Sequence, residues 1–214
     1  MPGVTISAGY GAGGSIIAPE VARRLGLPLL DRAISSHVAA QLHVSVQEAE
    51  GGEIRRSLAS RFLDVLAPLA GGVLCAGTDA APPEALPLPP PYDVTLFREQ
   101  AEAIMTAALA DGAVILGRAG GAAFHQRPDV LCVRLFGSPD ARIAQAARIE
   151  SVDPATARQR LPEVDRARAQ YVRRLYALDI DDPSLYCLQI DSTALPLDGC
   201  ADLIATAYEA LAGR

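Results

Sequence analysis

Val4-Thr5-Ile6-Ser7-Ala8-Gly9-Tyr10-Gly11-Ala12-Gly13-Gly14-Ser15-Ile16-Ile17 is the stretch on which the fold turns. A short apolar run ends in a glycine cluster, and beyond it Ile17, Val21 and Leu25 recur four residues apart, with Ala18 and Ala22 beside them. Apolar positions at that spacing share one face of a helix. The order is strand, glycine turn, helix, and Gly26 stands where a helix ends in a left-handed glycine. Pro19 lies near enough to the helix start that a bend rather than a break is expected. The N–H groups of such a turn, with the positive end of the helix, form a cradle for phosphate. A structural glycine turn shows the same bare pattern, but the position directly after the first strand favours phosphate.

Two registers of the pattern G-x-x-x-x-G-K-[ST] fit this loop. With Gly9 and Gly14 as the two glycines, Ser15 takes the lysine position. With Ala8 first and Gly11, Ala12 and Gly13 inside the loop, Gly14 takes the lysine position and Ser15 supplies the magnesium-binding hydroxyl. The second register is preferred, because it keeps a hydroxyl for metal and places Gly11 and Gly13 where the backbone must turn. Neither register has a lysine, and all 19 basic side chains of the chain are arginine. That lysine ordinarily neutralises charge developing on the β- and γ-phosphates, so its loss is expected to lower rate more than affinity. Anion chemistry then rests on guanidinium groups, backbone amides or bound metal.

The 214 residues, half of them hydrophobic and 21% charged, suit one α/β domain with an insertion. A net charge of −6 supplies no overall positive field for a nucleic acid, while small phosphorylated ligands remain compatible with it. No apolar run reaches membrane-spanning length and no signal-peptide layout is present, so a cytoplasmic location without membrane contact is expected. Cys75, Cys132, Cys187 and Cys200 have no C-x-x-C spacing and read as reduced thiols. His37, His43 and His125 show no metal-ligand spacing.

Outward from the glycine loop, Leu29-Leu30 reads as a second strand ending at Asp31, and Ala33 to Leu42 and Val46 to Ala70 as helical. The glycine- and proline-rich Gly71 to Pro91 cannot sustain helix or sheet interior and reads as a loop or lid. A long helix follows Asp93 to about Leu109, then a strand Ala113 to Leu116 ending at Gly117-Arg118. The strand Val130 to Phe136 leads to Ser138, a helix cap with Pro139 and Asp140 in the first turn, and helix signals continue to Leu178. Tyr186 to Ile190 is the last strand, and Leu197 or Asp198 to Leu211 the closing helix. Strands alternating with helices predict a mainly parallel five-stranded sheet in three α/β/α layers, with the ligand beyond the strands' carboxyl ends. The loops there hold Gly9 to Ser15, Asp31, Gly117-Arg118 and Gly137-Ser138.

Within the helical stretch, Arg168 falls amid the apolar positions Leu161, Val164, Tyr171, Val172 and Leu175. It either snorkels outward or pairs with Asp165, or it is aimed into a phosphate cleft. The surrounding Arg142, Arg148, Arg158, Arg160, Arg166, Arg173 and Arg174 read as a solvated face balanced by Glu150, Asp153, Glu163 and Asp165. Asp31 is equally an N-cap or a carboxylate for a substrate hydroxyl or metal.

The stretches Ile6 to Gly14, Leu27 to Ile34, Val114 to Arg118, Ser138 to Arg142, Asp165 to Tyr171 and Tyr186 to Leu195 together resemble the cytidylate kinase-like proteins, relatives of bacterial cytidylate kinase. The resemblance spans nearly the whole chain apart from roughly residues 50–91. It implies a P-loop kinase-type domain over residues 1–214, with an acceptor-binding insert at about 32–92 and a lid at about 140–178. It implies transfer of the γ-phosphoryl of ATP, with Mg²⁺, to a CMP-like nucleoside monophosphate. Gly11, Ala12, Gly13, Gly14 and Ser15 would take the donor phosphates and Ser15 the metal. Arg118, with Asp31 nearby, would meet the acceptor, and Asp165 with Arg168 would contact cytosine and phosphate. Arg118, Arg142 and Arg168 would act in catalysis, Arg142 and Arg148 from the lid. Cytidylate kinases carry an aspartate after the arginine matching Arg118, and Ala119 stands there. The departures at Gly14 and Ala119 leave open a phosphate- or nucleotide-binding regulatory module that keeps the fold.

Overall fold

The computed structural model describes residues 2–31 and 94–213, so the expectations for Ala33 to Pro91 lie outside the described residues. In chain order the described elements are β1 (Gly3–Ala8), α1 (Gly14–Leu25), β2 (Leu29–Leu30), α2 (Val94–Ala110), β3 (Val114–Leu116), α3 (Gly120–Phe124), β4 (Val130–Phe136), α4 (Pro139–Glu150), α5 (Pro154–Tyr176), β5 (Leu188–Asp191) and α6 (Leu197–Ala212). The five strands form one sheet in the order β2-β3-β1-β4-β5. Every pair is parallel, with Val4 beside Val114 and Leu131, and Val133 beside Leu188. The chain moves from β1 to one side of the sheet and returns with β4 on the other, so the direction reverses at the carboxyl ends of β1 and β4. Ligands of open parallel sheets bind at such a reversal.

Alternation along the strands sets the two faces. Val4, Ile6, Leu131, Val133, Leu135 and Ile190 pack with Ile17, Val21, Cys200 and Ile204 of α1 and α6. Ile115, Val130 and Cys132 face the opposite way, against Met105 and Leu109 of α2 and Phe124 of α3. Strands β3 and β4 therefore bury apolar residues on both faces, as helices covering both sides of a parallel sheet require, whereas β1 turns Thr5 and Ser7 to the second face. Position 134 follows Cys132 on the second face by the same alternation and holds an arginine.

Helix α1 runs through Pro19 without a break and ends at Gly26, whose φ of 64° lets its N–H reach Arg23 O and Leu27 close on Ala22 O. The helical signal from Ser138 to Leu178 is two helices rather than one. Ser151 adopts a left-handed conformation that closes α4, and Asp153 starts α5 by accepting from Thr156 N, with Pro154 in the first turn. Aspartate followed by proline is an N-terminal signature, and it interrupts a periodicity that otherwise runs straight through. Ser138 caps α4 as expected, accepting from Ala141 N at 3.4 Å. The short helix α3 has no counterpart in the sequence reading. A 3₁₀ turn at Pro183–Leu185 delays β5 to Leu188, two residues later than Tyr186.

Candidate functional site

The glycine loop bridges β1 and α1 in two left-handed steps, Gly11 and Gly13, both at φ 72°. Gly13 is the residue before α1; as a glycine it brings no capping side chain of its own, and no acidic residue lies in the helix's first turn. The amides of Ile16 and Ile17 close on Gly13 O. Earlier in the loop the amides turn inward: Ala12 N donates to Gly9 O at 3.1 Å, and Tyr10 N donates to Asp165 Oδ1 at 2.8 Å. The anion found on the loop is thus the protein's own carboxylate, Asp165. A Cβ on Gly14 would lie 2.8 Å from Ala8 Cβ, so the position of the absent lysine is occupied by close packing of α1 onto the end of β1. Ser15, next in line, is exposed.

Tyr10 anchors the loop to the facing helical pair. Its ring is fully buried among Ile143, Ala146, Ala157 and Val164 of α4 and α5, and its hydroxyl donates to Glu150 Oε2 at 3.1 Å. Arg160 binds the same carboxylate at 3.0 Å. Three side chains then hold the loop's carbonyls: Arg142 on Tyr10 O at 3.1 Å, Gln145 on Gly11 O at 3.0 Å and Ser192 on Ala12 O at 2.7 Å. Arg142 also donates to Gly137 O at 3.1 Å and pairs with Asp165 Oδ2 at 2.7 Å. One carboxylate therefore joins the loop amide to a guanidinium.

Asp165, Arg168 and Tyr171 are three residues apart on α5 and share one face. Arg168 neither snorkels outward nor ends in solvent: it is half-buried and donates to Ala8 O at 2.8 Å. Asp165, Arg142 and Arg168 are thus brought together at the end of β1 and the start of the glycine loop. Arg118 and Asp31 meet at the neighbouring strand ends, where the guanidinium donates through Nε and Nη2 to Asp31 O at 3.2 and 3.0 Å. The contact uses the backbone carbonyl of Asp31, and whether Asp31 caps a helix lies outside the described residues. Burial holds the Arg118 guanidinium below its ordinary pKa, against the opposing influence of Tyr171 and Asp31. Gly117, Arg118 and Ala119 are left-handed in succession, at φ 76°, 54° and 56°. Two non-glycine residues in that region cost about 1–2 kcal/mol each, a strain that bends the chain sharply from β3 into α3 and aims Arg118 back across the strand ends.

Between β1, β4 and α5 lies a cavity of ≈ 160 Å³ bordered by Gly9, Arg134, Arg142, Asp165, Arg168 and Asp181. Arg134 and Asp181 escaped the sequence reading. The available signal was an arginine inside the apolar strand VLCVRLF, since a central parallel strand has no solvent to offer a charge. Gln145 and Ser192 carry no such signal, because only the tertiary packing brings them to the loop. The solvated arginine face proves to be a mixture: Arg158 with Asp140 is exposed, whereas Glu150 beneath Arg160 is buried. His125 is held by Ala122 O through Nδ1, and Cys132, Cys187 and Cys200 are free thiols.

Two phenols make the loop region sensitive to alkali. Tyr10 and Tyr171 are each raised from 10.0 to about 12, first by burial; Glu150 adds to the shift at Tyr10, while Arg118 opposes it at Tyr171. The folded state holds these protons more tightly than the unfolded chain, so their contribution is complete below pH 10 and is lost as pH rises towards 12. Thermal melts between pH 9 and pH 12 are expected to fall in step, and Tyr10→Phe to flatten part of that fall.

Among the described residues no group of three His, Cys, Asp or Glu could hold a metal ion. At the start of α1 the Ser15 hydroxyl oxygen suits a hard cation that keeps its waters, while backbone amides suit the phosphate oxygens that would arrive with it. No described helix is long and apolar enough to cross a membrane.

The fold has solved likenesses. An uncharacterized protein from Eubacterium ventriosum ATCC 27560 superposes with a TM-score of 0.63 at 18% identity, over 98% of this chain and 99% of that one. Shikimate kinase from Acinetobacter baumannii, solved with shikimate, gives 0.45 at 11% over 98% and 94%, and shikimate kinase from Bacteroides thetaiotaomicron 0.44 at 13% over 97% and 98%. No curated protein matches the chain. The sequence itself matches the cytidylate kinase-like family over residues 3–194, a span that takes in every strand and the glycine loop. With an all-parallel 2-3-1-4-5 sheet, a glycine loop at its point of reversal and that match over residues 3–194, the chain belongs to the cytidylate kinase-like family.

Proposed function

We propose that the protein transfers the γ-phosphoryl group of ATP to a CMP-like nucleoside monophosphate. The observation that carries this reading is the glycine turn that opens α1 at the sheet's point of reversal, with Arg142 and Arg168 of the α4–α5 pair donating to Tyr10 O and Ala8 O beside it. In this scheme Gly11, Ala12, Gly13 and Gly14 shape the donor-phosphate cradle, and the α1 amides supply its positive end. Ser15 is the residue that would hold Mg²⁺, which when bound neutralises charge on the β- and γ-phosphate oxygens. Arg118 and Asp31 would lie against the acceptor, and Asp165 with Arg168 against its base and phosphate. Arg142 would sit over the transferring group, taking the electrostatic part that the loop lysine plays elsewhere. The α4–α5 pair is then the lid, residues 32–92 the acceptor-binding insert, and residues 1–214 one domain. Catalysis of this kind is mostly positioning and charge, which guanidinium groups held at fixed distances can provide.

A second reading is a regulatory module that binds nucleotide or phosphate without transferring it. Its support is that Arg142 and Arg168 are engaged by loop carbonyls, while Gly14 and Ala119 stand where family enzymes carry lysine and aspartate. A coupled assay with Mg²⁺·ATP over several nucleoside monophosphates, beside calorimetry with ATP and CMP, separates the two. Turnover is expected, with CMP among the acceptors. Binding without turnover would establish the module instead, and folded protein that neither binds nor turns over would remove both.

A further inference from the structure

Arg134 is the one charge on β4, and nothing in the phosphoryl-transfer scheme above uses it. Strand alternation places it on the sheet face opposite α1, near the carboxyl end, with a side chain only 12% exposed. Its Nη1 donates to Ser7 Oγ at 3.1 Å and its Nη2 to Asp181 Oδ1 at 2.6 Å, and the guanidinium lies 6.0 Å from the centre of the Tyr186 ring. Tyr186 is itself fixed, its hydroxyl donating to Ile180 O at 2.7 Å. The arginine is therefore held on three sides by Ser7 of β1, Tyr186 ahead of β5 and Asp181 on the chain leading from α5, and its fourth side opens on the cavity shared with Arg142 and Arg168.

Its partners differ in kind. Ser7 is neutral and part of the floor, whereas Asp181 is 73% exposed on the rim and reaches inward to the guanidinium. An exposed carboxylate on a buried guanidinium is readily exchanged, because water and salt stabilise the released aspartate while the arginine keeps its need for an anion. Arg142 has its own carboxylate in Asp165. Among the described residues the cavity wall carries the guanidinium groups of Arg134, Arg142 and Arg168 and the carboxylates of Asp165 and Asp181, the last at the rim.

We propose that this cavity is an oxyanion site in which the phosphate group of a phosphomonoester replaces Asp181 on Arg134. Size supports a group rather than a whole ligand: ≈ 160 Å³ is below the ~300–1,000 Å³ of pockets that enclose drug-sized molecules, yet holds a tetrahedral anion with a few waters of ~30 Å³ each. Guanidinium is also the group that matches phosphate oxygens in paired hydrogen bonds. The proposal deepens the phosphoryl-transfer reading, since the rest of the phosphomonoester would extend towards the acceptor region. Arg134 becomes a residue that selects a phosphorylated acceptor over its nucleoside, and Asp181 an internal competitor of the phosphate for the same guanidinium.

The test is calorimetric titration of inorganic phosphate into the full chain and into Arg134→Gln, Asp181→Asn and, as an equal charge change far from the cavity, Glu209→Gln. Asp181→Asn is expected to tighten phosphate about three- to five-fold, the yield of removing an exposed ionic competitor. Arg134→Gln is expected to weaken it about ten- to a hundred-fold, the loss of a charged hydrogen-bonding group. Asp181 is exposed, so its variant keeps the fold and preserves the test if Arg134→Gln unfolds. Phosphate affinity unchanged in Asp181→Asn, or shifted equally by Glu209→Gln, overturns the proposal, as does an absence of phosphate binding. ATP titrated into the unaltered protein reports separately on the phosphoryl-transfer reading: phosphate that tracks Asp181 while ATP fails to bind upholds this site and removes that reading, and the reverse pattern does the opposite.

Discussion

Gly11→Ala is expected to lower the unfolding free energy by about 3–5 kcal/mol, the sum of a left-handed alanine and a forced displacement of packed backbone. At φ 72° the new Cβ would stand 2.2 Å from the carbonyl oxygen of Arg142 and 2.9 Å from its carbon. Those are backbone atoms of α4, so no rotamer change relieves the contact, and the loop must part from the helix. Gly26 is an internal reference, because it shares the left-handed φ, at 64°, but meets nothing within 4 Å. Gly26→Ala should therefore show the conformational cost alone, about 1 kcal/mol. Urea unfolding of both variants measures the difference. Equal midpoints for the two would mean that the loop is not packed on α4 as described.

Asp165→Ala is expected to cost about 2–4 kcal/mol, since it removes the anion from Arg142 and the acceptor from the Tyr10 amide in one step. The figure sits below the full value for a buried pair because Asp165 is 30% exposed and water can partly replace it, whereas Arg142 is 11% exposed and cannot recover as well. Asp165→Asn keeps an acceptor for the amide but loses the charge, and should fall between the two. In the double variant with Arg142→Ala the second loss is smaller than when made alone, a coupling measurable by urea unfolding in a double-mutant cycle. Additive losses would show that the carboxylate and guanidinium act separately. On the phosphoryl-transfer reading the same variants lower kcat more than they raise KM, because the loop is no longer held in one geometry.

Both predictions concern contacts between the glycine loop and the α4–α5 pair, which lie more than 130 residues apart in sequence. The loop itself was legible. An apolar run, glycines and a four-residue apolar period describe local conformations, and local conformations follow from steric and hydrophobic preferences within a few residues. The same holds for Ser138 at the start of α4 and Gly26 at the end of α1, where a single side chain or its absence settles the backbone. The break between α4 and α5 is also local, but Asp153-Pro154 competes with arginine- and alanine-rich residues that favour helix on either side.

Arg168 marks the boundary between the two kinds of information. Its place amid an apolar stripe raises the question of a partner, and periodicity cannot say whether that partner is solvent, Asp165 or another element. The answer, Ala8 O, depends on α5 crossing the carboxyl end of β1. Arg134 poses the same question from a strand, where burial on both faces makes a charge conspicuous once the strand is known to be central.

By itself the sequence determined a parallel α/β sheet, a glycine turn opening the first helix, and the absence of lysine from any anion site. Short-range sterics and apolar periodicity suffice for those. Only the tertiary structure decided that Asp165 is the anion on the loop, that Arg142 and Arg168 bind its carbonyls, and that Arg134 and Asp181 border one cavity. A guanidinium reaches several ångströms in any direction, and which charge it meets is set by how helices cross strand ends, a geometry that no spacing along the chain encodes.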